Sequence, residues 1–180
     1  MNRQALLHML AAHHPADPHE LRMRDAIIAF INQHENCHSR DLAVGHLTGS
    51  AWIIDAARAQ TLLLHHGKLD KWLQPGGHVE RGDADMLAAA TREACEETGL
   101  PHVIPVSQAI FDVDIHEIPA RPGEPRHDHY DIRFAFIASP ATPLTITSES
   151  KKLSWIPLDA ITAYTTEESV LRMARKSSGL

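Results

Sequence analysis

The sequence predicts a layered α/β domain that carries a helical segment at its N-terminus. Three observations predict it. Apolar residues recur at helical spacing over residues 1–40, short apolar runs begin near residue 46, and residues 85–98 form a long stretch without Gly or Pro between those runs. Strands on both sides of one central helix, with more helix at the ends, suit packing in layers. The 180 residues are enough for a single core without staples. The expected organisation is an extension at 1–40 and a domain at 41–180.

Each element follows from local chemistry. Leu6, Leu7, Met9 and Leu10 make a first helical stretch, broken at Pro15-Ala16-Asp17-Pro18. Asp17 before Pro18 is an N-cap followed by proline at the first helical position. Leu21, Ala26, Ile27, Phe30 and Ile31 then give an apolar stripe that needs cover, from the domain or from a second subunit in a homodimer. Leu47–Asp55 and Thr61–Leu64 read as strands joined by a turn, and Gly76-Gly77 punctuates a loop. Asp85–Thr98 is rich in Ala, Leu and Glu and is closed by Gly99 and Pro101. Val103–Ile118 and Tyr130–Ala138 read as strands around a loop at 121–125. Ser154-Trp155-Ile156 is a short strand, and Thr166–Lys176 a closing helix.

Composition narrows the function. Apolar residues are 43% and charged residues 22%, as in a soluble globular protein. No apolar run approaches the roughly 20 residues of a membrane-spanning helix. With a net charge of -6 and no basic stripe, a nucleic-acid polymer is not the expected partner. The opening residues are too polar for a secretion signal, and two cysteines, Cys37 and Cys95, suggest a reducing compartment, so a cytoplasmic location is expected. Fourteen histidines stand out; protonating all of them would carry the net charge from -6 to +8. Most read as solvated surface. His46, His78, His127 and His129 are candidates to converge on a metal, although their spacing matches no compact zinc motif.

The chemistry concentrates at residues 75–100. On a helix, Glu97 lies about 40° from Glu93, and Glu96 about 60° the other way, so three carboxylates share one face. Like charges at i, i+4 repel by a few tenths of a kcal/mol. Alone, such a face is a solvated acidic surface or a site for a hard cation, which prefers carboxylate oxygens. The upstream Gly76-Gly77 favours the second reading, because a backbone carbonyl approaches a cation freely where no side chain intervenes.

This segment resembles the signature of the Nudix hydrolases. The signature begins here at Gly77, and Arg92-Glu93-Ala94-Cys95-Glu96-Glu97-Thr98-Gly99-Leu100 matches its second half at every specified position. The resemblance implies an α/β/α sandwich with a mixed sheet, and a metal-dependent hydrolase that cleaves a diphosphate linkage in a nucleoside diphosphate derivative or similar small molecule. It implies that Glu93, Glu96, Glu97 and the Gly77 carbonyl hold Mg²⁺ or Mn²⁺, that Glu93 acts as or orients the general base, and that Arg92 steadies Glu93. Lys68, His78 and Arg133 are the expected substrate contacts, with Trp72 either stacking or packing. Asp112, Asp114, Glu117, Asp128, Asp131 and Glu149 are outside candidates for the base.

Two departures matter. Asp83 stands near the family's first Glu, and eight residues rather than seven precede Arg92, so the expected position falls on Ala84, between Asp83 and Asp85. An insertion inside the helix would rotate every later helical residue by about 100°. The extra residue is therefore expected within 82–86, with Asp83 or Asp85 as the cap. Two alternatives share the fold. A diphosphate isomerase would need a reactive cysteine, and a non-catalytic sensor of a nucleotide or sugar derivative would usually lack motif carboxylates.

Overall fold

The computed structural model describes residues 1–180 apart from Pro122, Glu124, Ser148 and Glu149. Two helices come first, α1 (Arg3–Ala12) and α2 (Pro18–Gln33). Asn2 caps α1 by accepting from the Ala5 amide. Asp17 caps α2 by accepting from the His19 and Glu20 amides, with Pro18 in the first turn as the sequence predicts. Eight strands follow among the described residues: β1 (Gly45–Ile54), β2 (Gln60–His66), β3 (Trp72–Leu73), β4 (Gly76–His78), β5 (Ile104–Pro105), β6 (Asp112–Ile118), β7 (His127–Ile137) and β8 (Ser150–Pro157). Helix α3 (Met86–Thr98) connects β4 to β5, and α4 (Glu168–Lys176) follows β8. No described helix is long and apolar enough to cross a membrane.

The sheet is mixed, as expected. β1 and β7 run parallel, from Gly45 opposite Asp128 to Ile54 opposite Ile137, and the other pairings are antiparallel. β1 is buried along its whole length, so both of its faces are covered. Its other edge forks. Ile53 and Ile54 pair with β2, whereas Thr48, Gly49 and Ser50 pair with β4. The fork draws Gly76 and Gly77, expected in a loop, into a short strand against the most buried strand of the sheet.

Helices cover both faces. Leu6, Leu10, Ile27, Phe30 and Ile31 share one apolar cluster with Leu47, Ala51, Ile53 and the α3 residues Ala89, Ala90 and Ala94. Phe30 stacks on Tyr130 with 3.8 Å between ring centroids. Ile27, Phe30 and Ile31 of the α2 stripe thus find their cover within this chain, whereas Leu21 and Ala26 stay exposed. A second cluster joins Trp52, Ile54, Leu63 and Ile156 to Val170 and Met173 of α4. Val103–Ile118, expected as strand, is not one strand but β5 and β6, both paired with β7. Between them Ser107 turns the chain, its hydroxyl accepting from the Ala109 amide. The closing helix begins at Glu168 rather than Thr166, after Thr165 accepts from the Glu167 amide.

The fold also buries charge. Arg133 on β7 donates to Asp131 (2.7 Å), Asp112 (3.2 Å) and Asp114 (3.3 Å). Arg172 on α4 donates twice to Asp112, both at 2.8 Å, and to the Val113 carbonyl. Lys176 reaches Asp112 at 3.1 Å and Glu20 of α2 at 2.7 Å. Glu20 is fully buried, accepts from the Ala16 amide at 2.6 Å and faces Nε2 of His13 at 2.8 Å. Burial opposes its charge, but the bonds from His13, Lys176 and the Ala16 amide outweigh burial and hold its carboxyl well below the usual range.

A carboxyl lowered on folding stabilises the protein above its unfolded pKa and loses that contribution as pH falls through its folded value. Glu20→Ala is expected to cost about 3 kcal/mol in urea unfolding at pH 7, because the Ala16 amide and His13 lose their buried partner and Lys176 keeps only Asp112. Glu20→Gln is expected to flatten the acid limb of the stability–pH curve below the ordinary carboxylate range. Unchanged unfolding in both variants would remove this network from the account.

Candidate active site

The site begins with two glycines. Gly49 of β1 and Gly77 of β4 are directly paired, and both turn bare backbone toward α3. A Cβ on Gly49 would stand 3.1 Å from the Ala90 nitrogen and 3.3 Å from the Met86 carbonyl oxygen. A Cβ on Gly77 would stand 2.5 Å from a Glu93 carboxylate oxygen. The missing side chains therefore set how close the helix comes, and they bring Glu93 onto the loop backbone.

α3 itself is regular. Asp85 caps it by accepting from the Ala88 amide at 2.8 Å, and it ends at Gly99 with a φ of 72°. Met86, Ala89, Ala90, Ala94 and Thr98 are buried, while Leu87 is only partly covered. Glu97 is buried and accepts from the Gly76 amide at 2.7 Å. Glu96 points outward, with 59% of its side chain exposed. The acidic face is thus graded, with two carboxylates inside against the loop and one at the rim.

Arg92 organises the group. It donates to Asp83 (2.9 and 3.1 Å), to Glu93 (2.9 Å), to Glu96 (2.9 Å) and to the His78 carbonyl (2.8 Å). Asp83 is the strongest partner in raising the guanidinium pKa further, so Arg92 stays charged. Burial opposes the charge of Asp83, yet Arg92 and the Glu80 amide hold its carboxyl below the usual range. The two aspartates divide the work that the altered spacing left open. Asp83 anchors Arg92, Asp85 caps the helix, and α3 runs unbroken from Met86 to Thr98, as expected for an extra residue that precedes it, so Glu93, Glu96 and Glu97 keep one helical register.

Not every expected residue joins this group. Lys68 is exposed in the loop after β2. His78 lies next to Gly77, but its ring faces His46 at 4.9 Å between centroids. Burial first, then the charges of Arg40 and His46, lower its pKa to about 4. Arg133, expected to contact substrate, is 2% exposed and committed to its carboxylate cage. Trp72 is partly buried between His65 and Tyr164. Among the outside candidates for a base, Asp112, Asp114 and Asp131 are tied into the buried network, Glu117 pairs with Arg126, Asp128 stays half-buried, and Glu149 lies outside the described residues. Cys37 is buried and Cys95 half-buried, and burial pushes both thiols up. Gly49 was missed in the sequence, although a glycine inside a strand signals close approach of another backbone.

A family model described as NUDIX domain matches residues 46–175. No curated protein matches the sequence. Solved structures of similar fold include a C. elegans Ap4A hydrolase in a binary complex, at 18% identity, covering 74% of this chain and 95% of that one, with a TM-score of 0.56. The E. coli dihydroneopterin triphosphate pyrophosphohydrolase is 19% identical over 74% of this chain and 96% of that one, with a TM-score of 0.55. The NUDIX domain of Shewanella oneidensis NrtR complexed with ADP ribose is 15% identical over 81% of this chain and 94% of that one, with a TM-score of 0.54. At these identities the likeness is one of fold.

The two loop glycines are expected to respond differently to a methyl group. At Gly77 the added Cβ meets the end of a flexible side chain, so Gly77→Ala should displace Glu93 and leave the thermal midpoint nearly unchanged. At Gly76 it meets Cα and Cβ of Ser50, at 2.8 and 2.7 Å, which a paired strand cannot withdraw. Gly76→Ala should therefore destabilise by roughly 1–3 kcal/mol. Equal melting of the two variants would contradict this division.

Proposed function

Because the chain belongs to the NUDIX family, we propose that it is a divalent-cation-dependent hydrolase that cleaves a diphosphate linkage in a nucleoside diphosphate derivative or a similar organic diphosphate. One observation carries this reading: Glu93 and Glu97 meet at Gly76 and Gly77 of β4 while Arg92 holds Glu93 and Glu96 in place. The donors fit a hard cation. Carboxylates of Glu93, Glu96 and Glu97, with the Gly77 carbonyl, are the oxygen ligands that suit Mg²⁺ or Mn²⁺. Such an ion, when bound, neutralises diphosphate oxygens and makes water more acidic.

The chain's own residues do the rest. Arg92, fixed by Asp83 and the His78 carbonyl, orients the Glu93 carboxylate. Glu93 is the group we assign to receive the proton of the attacking water. The water oxygen bonds to phosphorus, the bridging P–O bond breaks, and two phosphorylated products leave. Glu97 holds its negative charge where the Gly76 N–H fixes it. Lys68 and His78 are assigned to substrate contact, and Arg133 to holding Asp131 beneath Ser50 and Thr48, beside the loop. Retention of all three motif carboxylates disfavours a non-catalytic sensor, and the raised thiols of Cys37 and Cys95 disfavour an isomerase that depends on a reactive cysteine.

The test is product release from Ap4A, dihydroneopterin triphosphate, ADP ribose and related diphosphates, with Mg²⁺ or Mn²⁺ and with chelator. Turnover that requires the cation is expected. Glu97→Gln keeps an acceptor for the Gly76 amide but removes the charge, so it should lower kcat/KM on the order of 100-fold while the protein stays folded. Binding without turnover would favour the sensor, and unaltered turnover in Glu97→Gln would refute the assignment.

A further inference from the structure

We propose that His46, His127 and His129, with His78 beside them, form a second cation site that takes a borderline transition ion of the Zn²⁺ class. The sheet builds it. His46 of β1 and His129 of β7 are directly paired across the parallel ladder. His127 lies two residues before His129, on the same face of β7. His78 of β4 pairs with Thr48, two residues along β1 from His46 and again on that face. Residues far apart in sequence thus meet because three strands are in register. Gly77 faces α3, and the imidazoles occupy the opposite face.

The geometry suits an ion better than mere packing. The ligand nitrogens of His46, His127 and His129 all lie within 4.8 Å of one another. Nε2 of His127 and Nε2 of His129 are 3.3 Å apart. Two nitrogens on a tetrahedral ion at about 2.0–2.1 Å would be about 3.3 Å apart. Nδ1 of His127 is 2.8 Å from the Pro125 carbonyl, an acceptor only, so Nδ1 carries the proton and Nε2 turns its lone pair to the cluster. This is the outer bond that usually fixes a metal-bound imidazole. Nε2 of His78 is buried and makes no hydrogen bond among the described residues. A cavity of about 370 Å³ opens beside His46 and His127, bordered by Arg40, Leu42 and Pro125, and gives an entry path and room for a further ligand. The donors are all imidazole nitrogens, which select Zn²⁺, Co²⁺, Ni²⁺ or Cu²⁺ over the Mg²⁺ that suits the carboxylates on the other face. An ion here would tie β4 to β1 and β7 one residue from Gly77.

The tag-free 180-residue chain tests this. Mg²⁺ in excess is added to occupy oxygen sites, and Co²⁺ is titrated in. Intense visible absorption of a tetrahedral nitrogen site at one equivalent is expected, and only the weak bands of octahedral oxygen coordination would overturn the proposal without any variant being needed. Zn²⁺ affinity is then measured by competition with a chromophoric chelator. His127→Gln and His46→Gln should each weaken it about tenfold or more, and Glu97→Gln should leave it unchanged. Equal affinity in the histidine variants, or loss in Glu97→Gln alone, would place the ion at the carboxylates and overturn the proposal.

Discussion

The position of α3 depends on one close contact, between its backbone and Gly49 of β1, and the Glu93 carboxylate rests on the paired Gly77. A side chain at Gly49 would press on the Ala90 amide, and one at Gly77 would occupy the space of the Glu93 carboxylate. Neither glycine is needed for an unusual φ; both are needed for space. The small residues Ala89, Ala90 and Ala94 on the helix answer them, so helix and sheet meet closely and the carboxylates at the next turn arrive at the loop. Everything chemical in the proposed mechanism inherits its geometry from that contact.

Two faces of one sheet then serve two kinds of chemistry. Toward α3, the loop meets oxygen donors arranged by Arg92. On the opposite face, β1, β6 and β7 line up Ser50, Thr48, Asp131, Arg133, Asp112 and Asp114 in a hydrogen-bonded network that reaches α4 and, through Glu20, α2. Buried ion pairs of this kind add little net stability over apolar packing, but removing one partner is expensive. They fix which elements meet. Arg172 and Lys176 bring α4 to β6, and Glu20 brings the N-terminal helices to the same point. Histidines continue the same face toward the N-terminal end of β1.

Much of this was legible in the sequence. Asp17-Pro18 announced the start of α2, and Gly99 announced the end of α3, because caps are local chemistry. The shared face of Glu93 and Glu97 follows from helical periodicity alone. The fork of β1 was not legible, since pairing with both β2 and β4 depends on partners distant in sequence. For the same reason Arg133 reads as a substrate contact in the sequence, whereas three aspartates that surround it come from β6 and from its own strand. The histidines showed the same limit. Positions 46, 78, 127 and 129 have no compact spacing, and only strand register brings them together.

The central claim is that a hard cation sits between α3 and the glycine loop. A crystal soaked in Mn²⁺, with anomalous diffraction recorded at the manganese edge, tests it most directly. The account predicts an anomalous peak within bonding distance of Glu93 and Glu97 carboxylate oxygens and of the Gly77 carbonyl. A peak confined to other residues, or none at Glu93 and Glu97 in a well-occupied soak, would contradict it.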